Sequence, residues 1–324
     1  MRAAYGTTRG SLLVITLWIM VILGVLAVAV GRQLSMEVRL MKYRRALDQA
    51  RGLARSGVLL AMARLQDDAK QAEAFDWLQD DWATFPAPGP EASAAVWVVP
   101  VPTGARDASS SGGRVEIEIR DEERKLDINT ASAAVLGPLI GSPSLAQAIV
   151  DYRDQDSDGA SESPVETPPY YYPKNGPIIV LEELRDLPDM TADVFDKLQR
   201  ATFAVPQSGP TTAVNINTAS RDVLQAAGLT TLADIIVQFR DQGHYFTSLS
   251  PDVKTESPAV PPPFDPGNAE FQNARGRLGV ASQLFTVSVT SYVAAPPVRQ
   301  HLEAVIRRTQ GGTEPPRIIA WRES

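Results

Sequence analysis

The sequence predicts an α+β fold: a long N-terminal helix laid on a small antiparallel sheet, with a large helical domain inserted between two parts of that sheet. Three observations predict it. The first 65 residues hold an unbroken apolar run that continues as small and apolar residues at helical spacing. Segments that alternate apolar and polar residues, the mark of half-buried strands, sit at two distant places, about 94–120 and 284–308. Between them the chain is helical in pattern and repeats itself.

The N-terminus opens with a short basic leader that ends at Arg9-Gly10-Ser11. Leu12–Val30 follows, 19 almost entirely apolar residues, long enough to span a bilayer as a helix. A secretory signal has a shorter apolar core with its small-residue cleavage site behind it. Here the available cut, between Gly10 and Ser11, lies before the run, so cleavage removes residues 1–10 and keeps the span at 11–31. Beyond it Leu40, Tyr43, Leu47, Ala50, Ala54, Gly57, Ala61 and Leu65 recur at spacings of three and four, one face of a long helix. From Leu12 to Leu65 that helix runs roughly 80 Å. Its small seam residues predict close packing, on the protein's own sheet in the C-terminal half and on partner helices in the N-terminal half. Pro86, Pro88, Gly89 and Pro90 end the helical region, giving it the bounds 32–85.

The first part of the sheet occupies 86–121. Ala94–Val99 reads as a strand, Pro100–Gly113 as a polar connection, and Val115, Ile117 and Ile119 alternate with Glu116, Glu118 and Arg120. The second part, with a C-terminal tail, occupies 281–324. There Phe285, Val287 and Val289 alternate with Thr286, Ser288 and Thr290, Ala295-Pro296-Pro297 turns, and His301–Arg308 returns.

The insert at 122–280 carries the repeat. Asp127-Ile128-Asn129-Thr130-Ala131-Ser132 is echoed by Asn215-Ile216-Asn217-Thr218-Ala219-Ser220, and Ala146–Gln155 by Ala233–Gln242, with a helix in each ending at Arg153 and Arg240. Each half reads as a helix-hairpin-helix unit, with Asn129/Thr130 and Asn217/Thr218 as N-caps. Leu181–Gln199 offers a third pair of short helices broken at Pro188, and Pro258–Pro266 reads as a stiff linker back to the sheet.

Composition narrows the chemistry. There is no Cys, which excludes disulfides, thiolate metal sites and Cys nucleophiles. With two His, a spacing typical of Ser/His/Asp catalysis does not arise, and no Gly-rich phosphate loop is present, so the chain reads as a non-enzyme. Residues 1–60 carry a net charge of +7 and the remainder −14, so the body as a whole repels nucleic acid. The hairpins agree. Ile140-Gly141-Ser142-Pro143 places Pro143 where a phosphate needs an N–H donor, Ala227-Gly228-Leu229-Thr230 keeps one Gly, and Leu187-Pro188-Asp189-Met190 carries a carboxylate.

Asp154-Gln155-Asp156-Ser157-Asp158-Gly159 places carboxylates at alternate positions before a Gly. The spacing fits two things, an irregular oxygen-ligand cation site built from Asp154, Asp156, Asp158 and Glu162 or Glu166, and a plain solvated acidic turn. An EF-hand is excluded, because its twelfth loop position, which needs a bidentate Glu, holds Val165.

The leader resembles the class III leaders of type IV pilins and type II secretion pseudopilins, which a prepilin peptidase cuts after the Gly. Most of those proteins carry Glu at the fifth position after the cut; here it is Ile15. That departure resembles the minor pseudopilin K family. So does the order of Ile119–Leu126, the Asn-Thr-Ala helix, the acidic loop closing on Tyr170-Tyr171-Tyr172, and Leu181-Glu182-Glu183-Leu184. The resemblance implies a pilin-like α/β domain carrying a SAM-like helical insert that binds calcium in the acidic loop. It implies assembly with minor pseudopilins I and J and with the inner-membrane secretion platform, after cutting before Ser11. It also implies a single-pass inner-membrane protein with a periplasmic body at the tip of a pseudopilus. The basic residues after the span point the other way by simple counting, towards a cytoplasmic body. A membrane-tethered DNA receptor and a minor pilin of a type IV pilus are the competing readings.

Overall fold

The computed structural model describes residues 9–70, 75–84, 96–102, 111–155, 173–205, 213–250 and 252–323. Helix α1 (Arg9–Lys70) is continuous over 62 residues, about 90 Å. It stops at Lys70, before the expected boundary at 85. The apolar seam runs out at Ala69, and residues 75–84 turn so that Trp82 enters the sheet core, 5.1 Å from the Phe285 ring.

Strands β1 (Trp97–Pro102) and β2 (Ser111–Asp121) follow. The insert then runs through β3 (Leu126–Asp127), α2 (Ala133–Ile140), α3 (Pro143–Arg153), a 3-10 turn at Leu181–Asp186, α4 (Ala192–Ala201) and β4 (Thr202–Phe203). Its second half comprises β5 (Val214–Asn215), α5 (Arg221–Ala226), α6 (Leu232–Asp241), β6 (Phe246–Ser248), β7 (Lys254–Thr255), α7 (Ala269–Ala274) and β8 (Leu278–Gly279). Strands β9 (Leu284–Val293), β10 (Val298–Arg307) and β11 (Arg317–Glu323) complete the main sheet.

That sheet is antiparallel, in the order β1-β2-β9-β10-β11. Its two halves therefore meet at β2 and β9, on either side of the insert in sequence. Ile117 pairs with Val289, and Val289 with Leu302, so the alternating apolar residues of three strands share one face. Ala54, Val58, Ala61 and Leu65 of α1 pack on that face. Small residues on the helix let its backbone approach the sheet. A Cβ built on Gly57 lies 2.6 Å from Val289 Cγ1 and 3.0 Å from Val115 Cγ1, inside van der Waals contact.

The insert has two cores. Ile128, Leu136, Ile149, Leu184 and Leu198 form one, around α2, α3 and α4. Ile216, Leu224, Ile236, Phe246 and Phe271 belong to the other, around α5, α6 and α7. The sequence repeat appears as repeated bonding. Asp127 Oδ1 accepts from Asn129 N, as Asn215 Oδ1 accepts from Asn217 N. The expected N-caps are wrong by two to three residues: Ser132 and Ser220 begin the helices. Asn129 and Asn217 instead splice in a later segment. Each side-chain amide exchanges two bonds with one backbone residue, Ile178 and Phe246 respectively. Arg153 and Arg240 close each unit by donating to the carbonyls of Ile128 and Ala131, and of Ile216 and Ala219. The Pro258–Pro266 stretch is not a free linker. Phe264 is buried between Phe246 and Phe271, at ring distances of 5.9 and 4.9 Å.

Candidate functional site: an uncovered stem and a charged junction

Every side chain from Leu13 to Arg45 is exposed, and burial begins at Ala46. Part of that stretch is an 18-residue window with mean hydropathy 3.0 and none of it buried. Leucine, isoleucine and valine in such a run are stable only in lipid or against other helices. One such helix fits a single-pass membrane anchor. Arg9, Gly10 and Ser11 lie in the first turn of α1, which places the Gly10–Ser11 bond at its very start. Ile15, where a carboxylate would stand in most pilin-like leaders, is 50% exposed on the stem.

At the other end of α1 the sheet meets the insert through a buried charged network that sequence reading missed. Arg308, just after β10, pairs with Asp68 of α1 and donates to both carboxylate oxygens of Asp76 at 2.6 and 2.7 Å. It also donates to the Ser282 carbonyl at 2.9 Å. Asp121, at the end of β2, accepts from the hydroxyls of Ser282 and Thr218 and from the Asn215 amide. Asn215 also donates to the Asp76 carbonyl at 3.1 Å. Both crossings between sheet and insert are therefore tied to the root of the stem. Burial raises the acids. Asp121 is pushed up to about 6, against the pull of Thr218 and Ser282. Asp68 is pushed up to about 7 by burial and then by Asp80, against Arg308. Glu123 is pushed up to about 8 by burial and then by Asp121. These positions carried no signal in sequence, because their partners lie up to 240 residues away.

Asp68, Asp76 and Asp80 lie within ligand distance of one another. The Arg308 guanidinium pairs with Asp68 and Asp76 and offsets part of the negative charge of this cluster. Of the ligand set expected from sequence, Asp154 caps the C-terminus of α3, its N–H donating to the Val150 carbonyl at 3.1 Å. Asp156, Asp158, Glu162 and Glu166 lie outside the described residues. The two histidines occupy packed positions. His244 pairs with Glu256 at 2.6 Å and lies against Phe239, and His301 of β10 faces Thr290 at 3.1 Å.

The turns between the paired insert helices are bonded internally. At the start of α6 the Thr231 N–H donates to Glu270 Oε1 at 2.7 Å, and the hydroxyls of Thr230 and Thr231 bond the same carboxylate. The start of α6 is thus capped from within, by a carboxylate of α7. These bonds hold the Glu270 carboxyl below the usual range, against partial burial. In the first hairpin Ser142 caps Leu145 N, and Pro143 stands at the first helical position without a donor.

No protein-family model matches the chain, and no curated protein matches it. Among solved structures it is similar to a chain of the GspK–GspI–GspJ complex from the type 2 secretion system of enterotoxigenic Escherichia coli. The TM-score is 0.63 at 16% identity, over 88% of this chain and 99% of that one. The chain has a GspK-like fold. At 88% coverage the likeness must include both the sheet and much of the insert, since neither alone is that large. The long helix, the split antiparallel sheet and the helices between its halves are therefore one recurring arrangement.

Proposed function

We propose that this chain is a minor pseudopilin of a type II protein secretion system, resembling subtype K. The observation that carries this reading is the stem. A head with a GspK-like fold continues without a break into some 33 exposed residues of helix α1, whose apolar part through Val30 only lipid and neighbouring helices can cover. The helix stores the protein in the inner membrane with its body in the periplasm, then packs with sister helices, those of minor pseudopilins I and J.

Two features support a place at the tip and a role in starting assembly. Ile15 brings no carboxylate into the apolar stem, so no subunit above is needed to neutralise one. The insert, about half the chain, obstructs stacking of another subunit on the head. In the acidic loop Asp154, Asp156 and Asp158 with Glu162 or Glu166 are hard oxygen donors of the kind calcium takes, and would hold the ion beside the end of α3. Its chemistry there is structural: it gathers carboxylates that otherwise repel.

Intact-mass analysis of the membrane-extracted protein tests the reading. A prepilin peptidase leaves a chain beginning at Ser11, and co-expressed partner pseudopilins co-purify with it through the stem. A chain that begins at Met1 in cells containing the peptidase, or a stem dispensable for co-purification, overturns it.

A further inference from the structure

A cleft of about 830 Å³ opens between the link after β2, the end of α2, α4 and α5. Arg124 and Lys125 enter it from the link, and Lys197 and Arg200 from the last turns of α4. Lys197 and Arg200 are three residues apart on a helix and so share a face. Asp222 is the single carboxylate among the lining residues. Four cations against one acid is the reverse of the body's overall charge of −14. Among the described residues, Arg124, Lys197 and Arg200 form no ion pair, while Lys125 reaches Glu122 at 3.8 Å. Burial, and then the nearby Arg124, hold the Lys125 ammonium below the usual lysine range, against Glu122. The site therefore holds more cation than its own carboxylates neutralise, within concave walls that concentrate the field.

The shape selects the anion. A nucleic-acid duplex presents a broad convex phosphate surface and needs many phosphate contacts, which the body's net charge of −14 opposes. An extended peptide enters a cleft readily, and its side chains two residues apart lie on one side about 7 Å apart. Arginine forks match carboxylates with two parallel bonds. We propose that this cleft binds an extended acidic segment of a partner protein, with carboxylates seated on Arg124, Lys197 and Arg200. This binding is separate from the stem's role in assembly and survives if that role is disproved.

Fluorescence anisotropy of the full-length protein in detergent, with a labelled peptide alternating Glu and Ser, tests it. Saturable binding that weakens with salt is expected, with no binding of the matching Gln/Ser peptide. The K197E/R200E double variant, altered at two exposed positions, should bind about tenfold more weakly while melting at the parent temperature. Arg124→Gln should move affinity in the same direction. Equal affinity in parent and variants, equal binding of the Gln peptide, no binding of the Glu peptide, or tighter binding of duplex DNA than of the peptide each overturns the proposal.

Discussion

Gly57 shows how one residue sets the fit between stem and head. In an exposed helix, replacing Gly by Ala gains about 1 kcal/mol of helix propensity. Here the added methyl meets the rigid β-branched Val289 at 2.6 Å, so Gly57→Ala should fail to stabilise, and Gly57→Val should cost about 1–3 kcal/mol through overpacking. Urea denaturation of the two variants in detergent checks this, and a stabilised Gly57→Ala would show that α1 can lift from the sheet. Glu270 is a second such residue. Glu270→Ala leaves the Thr231 N–H and two exposed hydroxyls to water, which should cost about 0.5–1.5 kcal/mol. Glu270→Gln keeps an oxygen acceptor there and should retain part of that. A larger loss in Glu270→Ala than in Glu270→Gln, read by thermal melting, would identify the side-chain oxygens of Glu270 as the cap of α6.

At the scale of elements, what could be read in advance was what has a period. The apolar stem, the alternation in β2 and β9, and the paired insert helices are local patterns, and each stands where its residues placed it. Elements defined by distant partners escaped. β11 is an exposed edge strand whose partner β10 makes it a strand, and the two-residue strands β3, β4, β5 and β8 exist only as parallel contacts between separate segments. The helix caps moved because Asn129 and Asn217 answer to Ile178 and Phe246, 49 and 29 residues away. The acidic loop belongs to this scale too. If it holds calcium, chelation should lower the melting temperature by on the order of 5 °C, and an Asp154→Asn, Asp158→Asn variant should melt at the chelated temperature with or without calcium. A melting temperature indifferent to calcium in the parent would remove the ion from the account.

For the whole molecule, the charged junction decides how firmly the insert rides on the stem. Asp68, Asp121 and Glu123 have folded pKa values raised to about 7, 6 and 8, above their values in the unfolded chain. The folded head therefore binds their protons more tightly than the unfolded chain does, and stability falls with rising pH wherever that holds. Their contribution is complete below about pH 4 and is lost as pH climbs through 6 to 8. Arg308 faces Asp68 and Asp76 and offsets part of the buried negative charge, while at Glu123 burial and repulsion from Asp121 and Asp76 outweigh the pull of the Gln283 backbone and of Arg308. Glu123 should thus dominate the upper end of the range. Thermal melts of the full-length protein should fall by on the order of 5 °C between pH 5 and pH 8. Glu123→Gln, neutral at every pH, should flatten the upper half of that slope while leaving the pH 5 melting temperature close to the parent's. The same change at Glu118, a half-buried acid of β2 on the sheet face away from α1, should leave the slope intact. A parent whose melting temperature rises steadily from pH 5 to pH 8 would mean that the junction acids are ionised and paired throughout. The insert would then be held by Arg308 and hydrogen bonds alone.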